Sequence, residues 1–274
     1  MQMYYILIEE DHMSDFASVL YPGYTAGENR LTIGACGDDD TVQGAISVLL
    51  MEDQYDCDWL YVHPKCRGQG VANGLFDQVL DFISTTGLVY PVSASFEVTE
   101  EDRDLYGFFL SRDDVVVDYS HRRFYLQPEQ IGEAEMLKKE FHTEYRKESY
   151  SVLNKEKKRE VLEEIRSVHR ILIPDISRWN EECIPGLDMV LYEEDSVVGF
   201  IFFRKREDQY LELSYLYSRN PKGTMLLLLD AAKTIREKCP GYGIVFDAVS
   251  EEAEAISRKI FPENSGVCIY EAMW

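Results

Sequence analysis

Between Asp56 and Ile83 the chain reads DCDWLYVHPKCRGQGVANGLFDQVLDFI. An apolar strand runs into a turn holding Pro64. Then Arg67-Gly68-Gln69-Gly70-Val71-Ala72-Asn73 opens a helix. The small residues stand where a helix leaves its first N–H groups without partners and its dipole is positive, which makes the turn a cradle for a pyrophosphate. A side chain at Gly68 or Gly70, or one larger than methyl at Ala72, would hold the phosphates off. Two other phosphate loops do not fit. A dinucleotide fingerprint needs glycine at 68, 70 and 73, and position 73 is Asn. A Walker A loop needs Gly-Lys-Ser/Thr, and Lys222-Gly223-Thr224 has the wrong order.

The elements that must position this turn are legible on both sides. Val71, Leu75, Phe76, Val79, Leu80 and Ile83 recur at helical spacing, so a helix is expected over 69–85. Strands are expected over 4–8, 30–37, 41–51, 55–62 and 91–98, with a turn at Asp38-Asp39-Asp40 and a strand or hairpin over 115–126. A short helix is expected over 12–20, ending near Pro22-Gly23. A second, capped near Thr99 and led by Glu100, Glu101 and Asp102, should end near Arg112. A boundary is expected at 127–132. Charged helical segments follow at about 134–146 and 154–170. In the latter Val161, Leu162, Ile165, Val168 and Leu172 form a stripe that reads as core-facing.

The second half echoes the first. Ser196–Ile201 matches Thr41–Ile46, Leu211–Tyr217 matches Asp56–Val62, and the helix from Thr224 to Arg236 matches the one from Val71. This spacing is that of a domain repeat, not of a solenoid. In the second turn, Ser218-Arg219-Asn220-Pro221-Lys222-Gly223-Thr224-Met225, Gly223 alone keeps its place. Pro221 removes a donor and Met225 is bulky where Ala72 is small.

Composition narrows the class. The chain has 274 residues and is 45% hydrophobic, enough for one large domain or two ordinary ones. Its net charge of −22 opposes nucleic-acid and anionic-membrane partners. Residues 1–128 hold 7 Lys and Arg against 22 Asp and Glu, a net −15, which suits a cationic substrate. The start MQMYYILIEEDH lacks a basic segment and is cut short by acids, unlike a signal peptide, and no apolar run reaches membrane-span length. Six scattered cysteines without a CxxC pair read as free thiols in a cytoplasmic protein, and the five histidines show no metal-ligand spacing.

Arg67, Gly70 and Ala72 fill the pattern Gln/Arg-x-x-Gly-x-Gly/Ala. The turn therefore resembles motif A of the GCN5-related N-acetyltransferases, and the preceding LYVHP is typical of that family's fourth strand. The resemblance implies an α/β (α+β) fold of two tandem acyl-CoA N-acyltransferase-like domains, each a mostly antiparallel splayed sheet flanked by helices. Residues 1–128 would be the cofactor-binding domain. Residues 129–274 would be a second copy with a degenerate motif that shapes the substrate pocket or serves as scaffold.

The implied reaction moves an acetyl group from acetyl-CoA to a primary amine by direct attack on the thioester. The main chain at Leu60, Tyr61 and Val62 would pair with the pantetheine arm, and the turn Arg67, Gly68, Gln69, Gly70, Val71, Ala72 and Asn73 would hold the diphosphate. A bulge in the strand would open the gap and aim N–H groups at the thioester carbonyl. A primary amine is about 0.1% neutral at pH 7.4, so a proton acceptor helps. Asp56 and Asp58, two apart on the strand and so on one face, are the candidate bases, with Asp56 where the family often has its glutamate. Tyr106 in Asp104-Leu105-Tyr106 is the candidate acid for the departing thiolate. The family's Gly-Phe ending of that element is replaced by Asp113-Asp114. His63 and His121 are alternative bases. No metal is implied. A different acyl donor, or a non-catalytic acyl-CoA sensor, are the competing readings; the acidity opposes an aminoacyl-tRNA donor. The acceptor and the oligomeric state stay open.

Overall fold

Short apolar runs punctuated by Gly and Asp turns favour strands, and the computed structural model sets them side by side. It describes residues 3–27, 29–51, 54–87, 90–100, 103–134, 137, 144–169, 184–206 and 208–274. The chain divides into two units, residues 1–120 with 269–274, and residues 121–268.

In the first unit β1 (Tyr4–Leu7), β2 (Arg30–Cys36), β3 (Val42–Leu50) and β4 (Tyr55–Val62) pair antiparallel, in registers such as Ile33↔Ile46 and Ile46↔Leu60. A 3-10 turn at Pro64–Cys66 leads to α1 (Val71–Thr86), then β5 (Val92–Val98), parallel to β4. Next come α2 (Asp104–Leu110) and β6 (Val116–Leu126), whose residues from His121 on belong to the second unit. α1 buries Val71, Leu75, Phe76, Val79 and Ile83 against Ile33, Ile46, Val48 and Cys57, which is why its apolar stripe exists.

The opposite face of this sheet is covered by residues 9–24, with Phe16 and Val19 packed beside Cys36 and Ala45. The helix expected over 12–20 is a run of turns instead, bonded Asp15 to His12 and Val19 to Phe16. Docking decides this: a Cβ on Gly34 would lie 2.0 Å from the Phe16 ring, so the ring sits directly on the strand backbone. The helix expected near Thr99 begins at Asp104, with Arg103 at its N-cap and Asp104 as the acid in its first turn. Glu101 and Asp102 lie outside the described residues.

The second unit opens with α3 (Pro128–Glu133), which has proline in its first turn and a Gln127–Gln130 capping box. The helix expected over 134–146 falls mostly outside the described residues. Then follow β7 (Arg146–Ser149), α4 (Lys155–His169), β8 (Met189–Glu193), β9 (Ser196–Lys205), β10 (Tyr210–Ser218), α5 (Pro221–Lys238), β11 (Gly243–Ala248) and α6 (Glu251–Ile260). β7 to β10 pair antiparallel in order, β11 joins β10 in parallel, and β6 lies antiparallel to β11 at Phe246↔Phe124. Val161 and Ile165 of α4 are buried with Tyr150, Val190 and Phe200, and Leu162 packs against them, so this part of the stripe faces the core; Leu172 lies outside the described residues.

The chain closes with β12 (Val267–Met273), and its residues from Ile269 to Trp274 belong to the first unit. There Val92 and Trp274 exchange both backbone hydrogen bonds at 3.0 Å, and the Trp274 ring packs 4.4 Å from that of Phe76.

Candidate functional site

β4 and β5 share two register pairs, Tyr55↔Val92 and Asp56↔Ser93. Beyond Asp56 the described ladder stops, although β4 runs on to Val62 and β5 to Val98. The two strands part there, leaving the β4 main chain from Cys57 to Val62 without its β5 partner. On its other side β4 stays paired to β3, with a bulge: Cys57 faces Val48 and Trp59 faces Ser47, so Asp58 is the extra residue. The bulge switches the alternation. Tyr55, Cys57, Leu60 and Val62 pack with α1, whereas Tyr61 packs with the 9–24 segment and the Trp59 indole donates to Val19 O at 2.8 Å.

The turn at the end of β4 has the shape expected for an anion cradle. Gly70 is the N-cap of α1 at φ 85°, and no side chain caps the helix. The first intrahelical bond is Gly74 N–H to Gly70 O at 3.0 Å, so the N–H groups of Val71, Ala72 and Asn73 have no helical acceptor. Gly68 also lies in the left-handed region at φ 72°, and a Cβ built on Gly68 or Gly70 would meet nothing within 4 Å. The backbone approach is open and the conformation favours glycine. These residues fit a diphosphate.

The side chains of the turn are already engaged. Arg67 donates to Val62 O at 3.2 Å and to Asp104 at 2.6 Å, linking the turn to the start of α2. Gln69 donates to Lys65 O at 2.9 Å, and the Asn73 side chain accepts from Arg112 at 3.2 Å. These bonds use the Gln69 amide nitrogen and the Asn73 amide oxygen.

The two carboxylates differ. Asp58 accepts from Arg30 at 2.5 Å, and the same Arg30 nitrogen bonds the Ser47 hydroxyl at 2.8 Å. Asp56 is half-buried and has no hydrogen-bond or ion-pair partner among the described residues. Burial, and next the charge of Asp58, raise its pKa above the ordinary carboxylate value, with Arg30 opposing. Tyr106 is half-buried on α2, its ring 4.8 Å from that of Tyr270. His63 caps the 3-10 turn through Nδ1, which accepts from Lys65 N–H at 3.4 Å. His121 lies in the second unit, 3.4 Å from Asp247. Among the described residues no three His, Cys, Asp or Glu side chains gather as a metal site, and no helix is long and apolar enough to cross a membrane.

The family model of the acetyltransferase (GNAT) family matches residues 2–112, the stretch that carries the parted strands and the open helix entrance. Residues 2–112 belong to the GNAT family. No curated protein matches the chain in sequence. A GCN5-related N-acetyltransferase from Sphaerobacter thermophilus is similar in structure, with a TM-score of 0.64 at 14% identity over 96% of this chain and 84% of that one. So is a tandem GNAT protein from the clavulanic acid biosynthesis pathway, at TM-score 0.65 and 11% identity over 99% and 98%. A fungal multi-domain β-N-acetylglucosaminidase with a GCN5-related glucosamine N-acetyltransferase region matches at TM-score 0.69 and 11% identity, over 100% of this chain and 38% of that one. At such identities the likeness is one of fold.

The second unit repeats the plan of the GNAT unit, with its helix entrance closed. β10 bulges between Leu213 and Tyr215 against β9, and its parallel ladder with β11 ends at Glu212↔Val245. Gly44 faces Val62 as Gly199 faces Ser218, and both glycines are required by close approach: a Cβ would lie 2.6 Å from Tyr61 O or 2.9 Å from Tyr217 O. Counted from these anchors, Glu212 stands at the place of Asp56, where the sequence echo had set Leu211. Glu212 is paired to Arg204 at 2.8 Å. At the α5 entrance the Asn220 side chain accepts from Gly223 N–H at 3.0 Å and donates to the Tyr145 hydroxyl, and Ser218 Oγ would lie 2.0 Å from a Cβ on Gly223. The chain's own side chains fill the position that α1 leaves open.

Arg30 and Glu212 were not found from sequence. An arginine opening a strand carries no motif, and Glu212 comes into place through a register that only the bulge defines.

Proposed function

We propose that the first unit is an acetyl-CoA-dependent N-acetyltransferase acting on a primary amine. GNAT membership supports acyl-CoA-dependent acyltransferase activity; the acetyl donor and the amine acceptor are our reading. One observation carries it: the uncapped entrance of α1 lies at the end of a strand that has parted from its neighbour. The N–H groups of Val71, Ala72 and Asn73, with the backbone of Gly68 to Gly70, hold the diphosphate. The free main chain at Leu60, Tyr61 and Val62 pairs with the amide-rich arm as an added strand. The bulge frees N–H groups near the thioester carbonyl, where they stabilise the developing oxyanion.

Asp56 takes the proton of the acceptor ammonium, directly or through a water. The neutral amine attacks the carbonyl carbon, the C–N bond forms and the C–S bond breaks. Tyr106 gives its proton to the leaving thiolate and is reprotonated by the second proton that the acceptor nitrogen loses as the amide forms. Arg67, tied to Asp104, holds the α2 entrance against the turn. The second unit, with its entrance self-capped, serves as scaffold. The competing reading is a non-catalytic acyl-CoA sensor.

A thiol-release assay with acetyl-CoA and an amine panel, run beside calorimetric titration of acetyl-CoA, tests the reading. Binding with amine-dependent thiol release supports the enzyme. Binding without release on any amine would favour the sensor.

A further inference from the structure

The face of β4 turned away from α1 carries a group of side chains that the acetyl donor does not need. Arg30 spans Ser47 and Asp58, with its guanidinium carbon 5.7 Å from the Tyr21 ring centre. Its side chain is 15% exposed. The two charges neutralise each other, so the pair presents no net charge to an acceptor carboxylate or to a second ammonium. That leaves Asp56 as the single unpaired carboxylate on this stretch of β4. On the same face of the sheet stands a row of half-buried rings: Tyr21 meets Trp59 edge-on at 5.6 Å, and Trp59 lies nearly parallel to Tyr61 at 6.0 Å. The overall charge of −22 draws cations of every kind. Local chemistry must choose among them: one carboxylate, one wall of rings, and an ion pair closed on itself.

Resting on the function proposed above, we propose that the acceptor is an arylalkylamine: one ammonium directed at Asp56 and a flat aromatic body laid on Trp59 and Tyr61. Aromatic pairs add attraction beyond the area they bury, and Trp and Tyr faces attract nearby cations. A polyamine would leave its second charge without a partner. An amino acid would bring its carboxylate to an arginine already engaged.

The test compares kcat/KM for phenethylamine and tryptamine with that for putrescine, spermidine, kanamycin and phenylalanine. It is paired with saturation-transfer NMR of the same amines on protein without coenzyme. Calorimetry with acetyl-CoA is run separately, so that a missing cofactor site is told apart from a wrong acceptor. The arylalkylamines are expected to lead by about tenfold or more, in turnover and in transfer signal. Trp59→Leu and Tyr61→Leu should each erase most of that lead. Arg30→Met frees the Asp58 carboxylate and should shift the putrescine-to-phenethylamine ratio about tenfold toward the diamine. The double variant R30M/D58N should return the ratio to its starting value, which also controls for damage to the fold. A lead by polyamines, aminoglycosides or amino acids would overturn the proposal. So would unchanged ratios in folded Trp59→Leu and Tyr61→Leu, or no transfer signal from any arylalkylamine on protein that binds acetyl-CoA.

Discussion

Two carboxylates two residues apart look interchangeable in sequence, yet their surroundings give them different chemistry. Asp58 is locked to Arg30, while Asp56 is half-buried and unpaired with a raised pKa. A raised pKa in the fold means that ionising Asp56 is harder there than in the unfolded chain. The resulting loss of stability is absent below the unfolded value and grows as pH rises through it to the raised one. Asp56→Asn should therefore raise Tm at pH 7 and leave it unchanged near about pH 3, read by calorimetric melting. The same variant should lose about 10²- to 10⁴-fold in kcat/KM as the base is removed. In the wild type kcat/KM should rise with pH through a midpoint above the usual carboxylate value. Asp58→Asn should move that limb to lower pH, because it removes the second cause of the shift and leaves Arg30 unopposed. The two aspartates were legible as candidates from their place on the strand. Their division of labour was not, since it depends on Arg30, which is distant in sequence.

At the scale of elements, β4 and the helix after it do most of the positioning. Gly44 lets β3 press on the end of β4, so Gly44→Ala should cost about 1–3 kcal/mol by overpacking and weaken acetyl-CoA binding with it, because Tyr61 and Val62 must shift. Chemical denaturation and titration on the same sample check both halves. In the second unit Asn220→Ala removes a cap and should cost about 1 kcal/mol without changing acetyl-CoA affinity. An equal drop in affinity would mean that the second entrance takes part in binding. Strand and helix limits here were readable from alternation and helical spacing: β4 spans Tyr55–Val62 as expected, and α1 runs one residue past the expected end. The 12–20 segment was misread because its apolar residues follow a helical spacing while their docking on Gly34 imposes turns. The bulge at Asp58 left no trace in sequence because it is a property of pairing with β3.

For the whole molecule, the chain order and the folding units differ at the last strand. A sequence divided by its repeat assigns 129–274 to the second copy, but residues 269–274 complete the first unit, and that unit's last contiguous residue is Ser120. A repeat offset compares like with like, and it cannot show a strand lent from the far end of the chain. Deleting 269–274 removes the Val92–Trp274 bonds and the Trp274 ring from Phe76 and Phe109. The first unit should then melt at lower temperature, by ten degrees or more at about 4–8 °C per kcal/mol, and lose acetyl-CoA binding. Circular dichroism and titration of the truncated chain check this.

The most direct measurement is calorimetric titration of acetyl-CoA into the full chain, wild type and Ala72→Glu. One equivalent should bind per chain, and the glutamate, set among the unpaired N–H groups of α1, should weaken binding at least a hundredfold while the melting temperature stays within a few degrees. Two equivalents, or an Ala72→Glu variant that binds as the wild type does, would place the diphosphate elsewhere and contradict the assignment of the first unit's helix entrance.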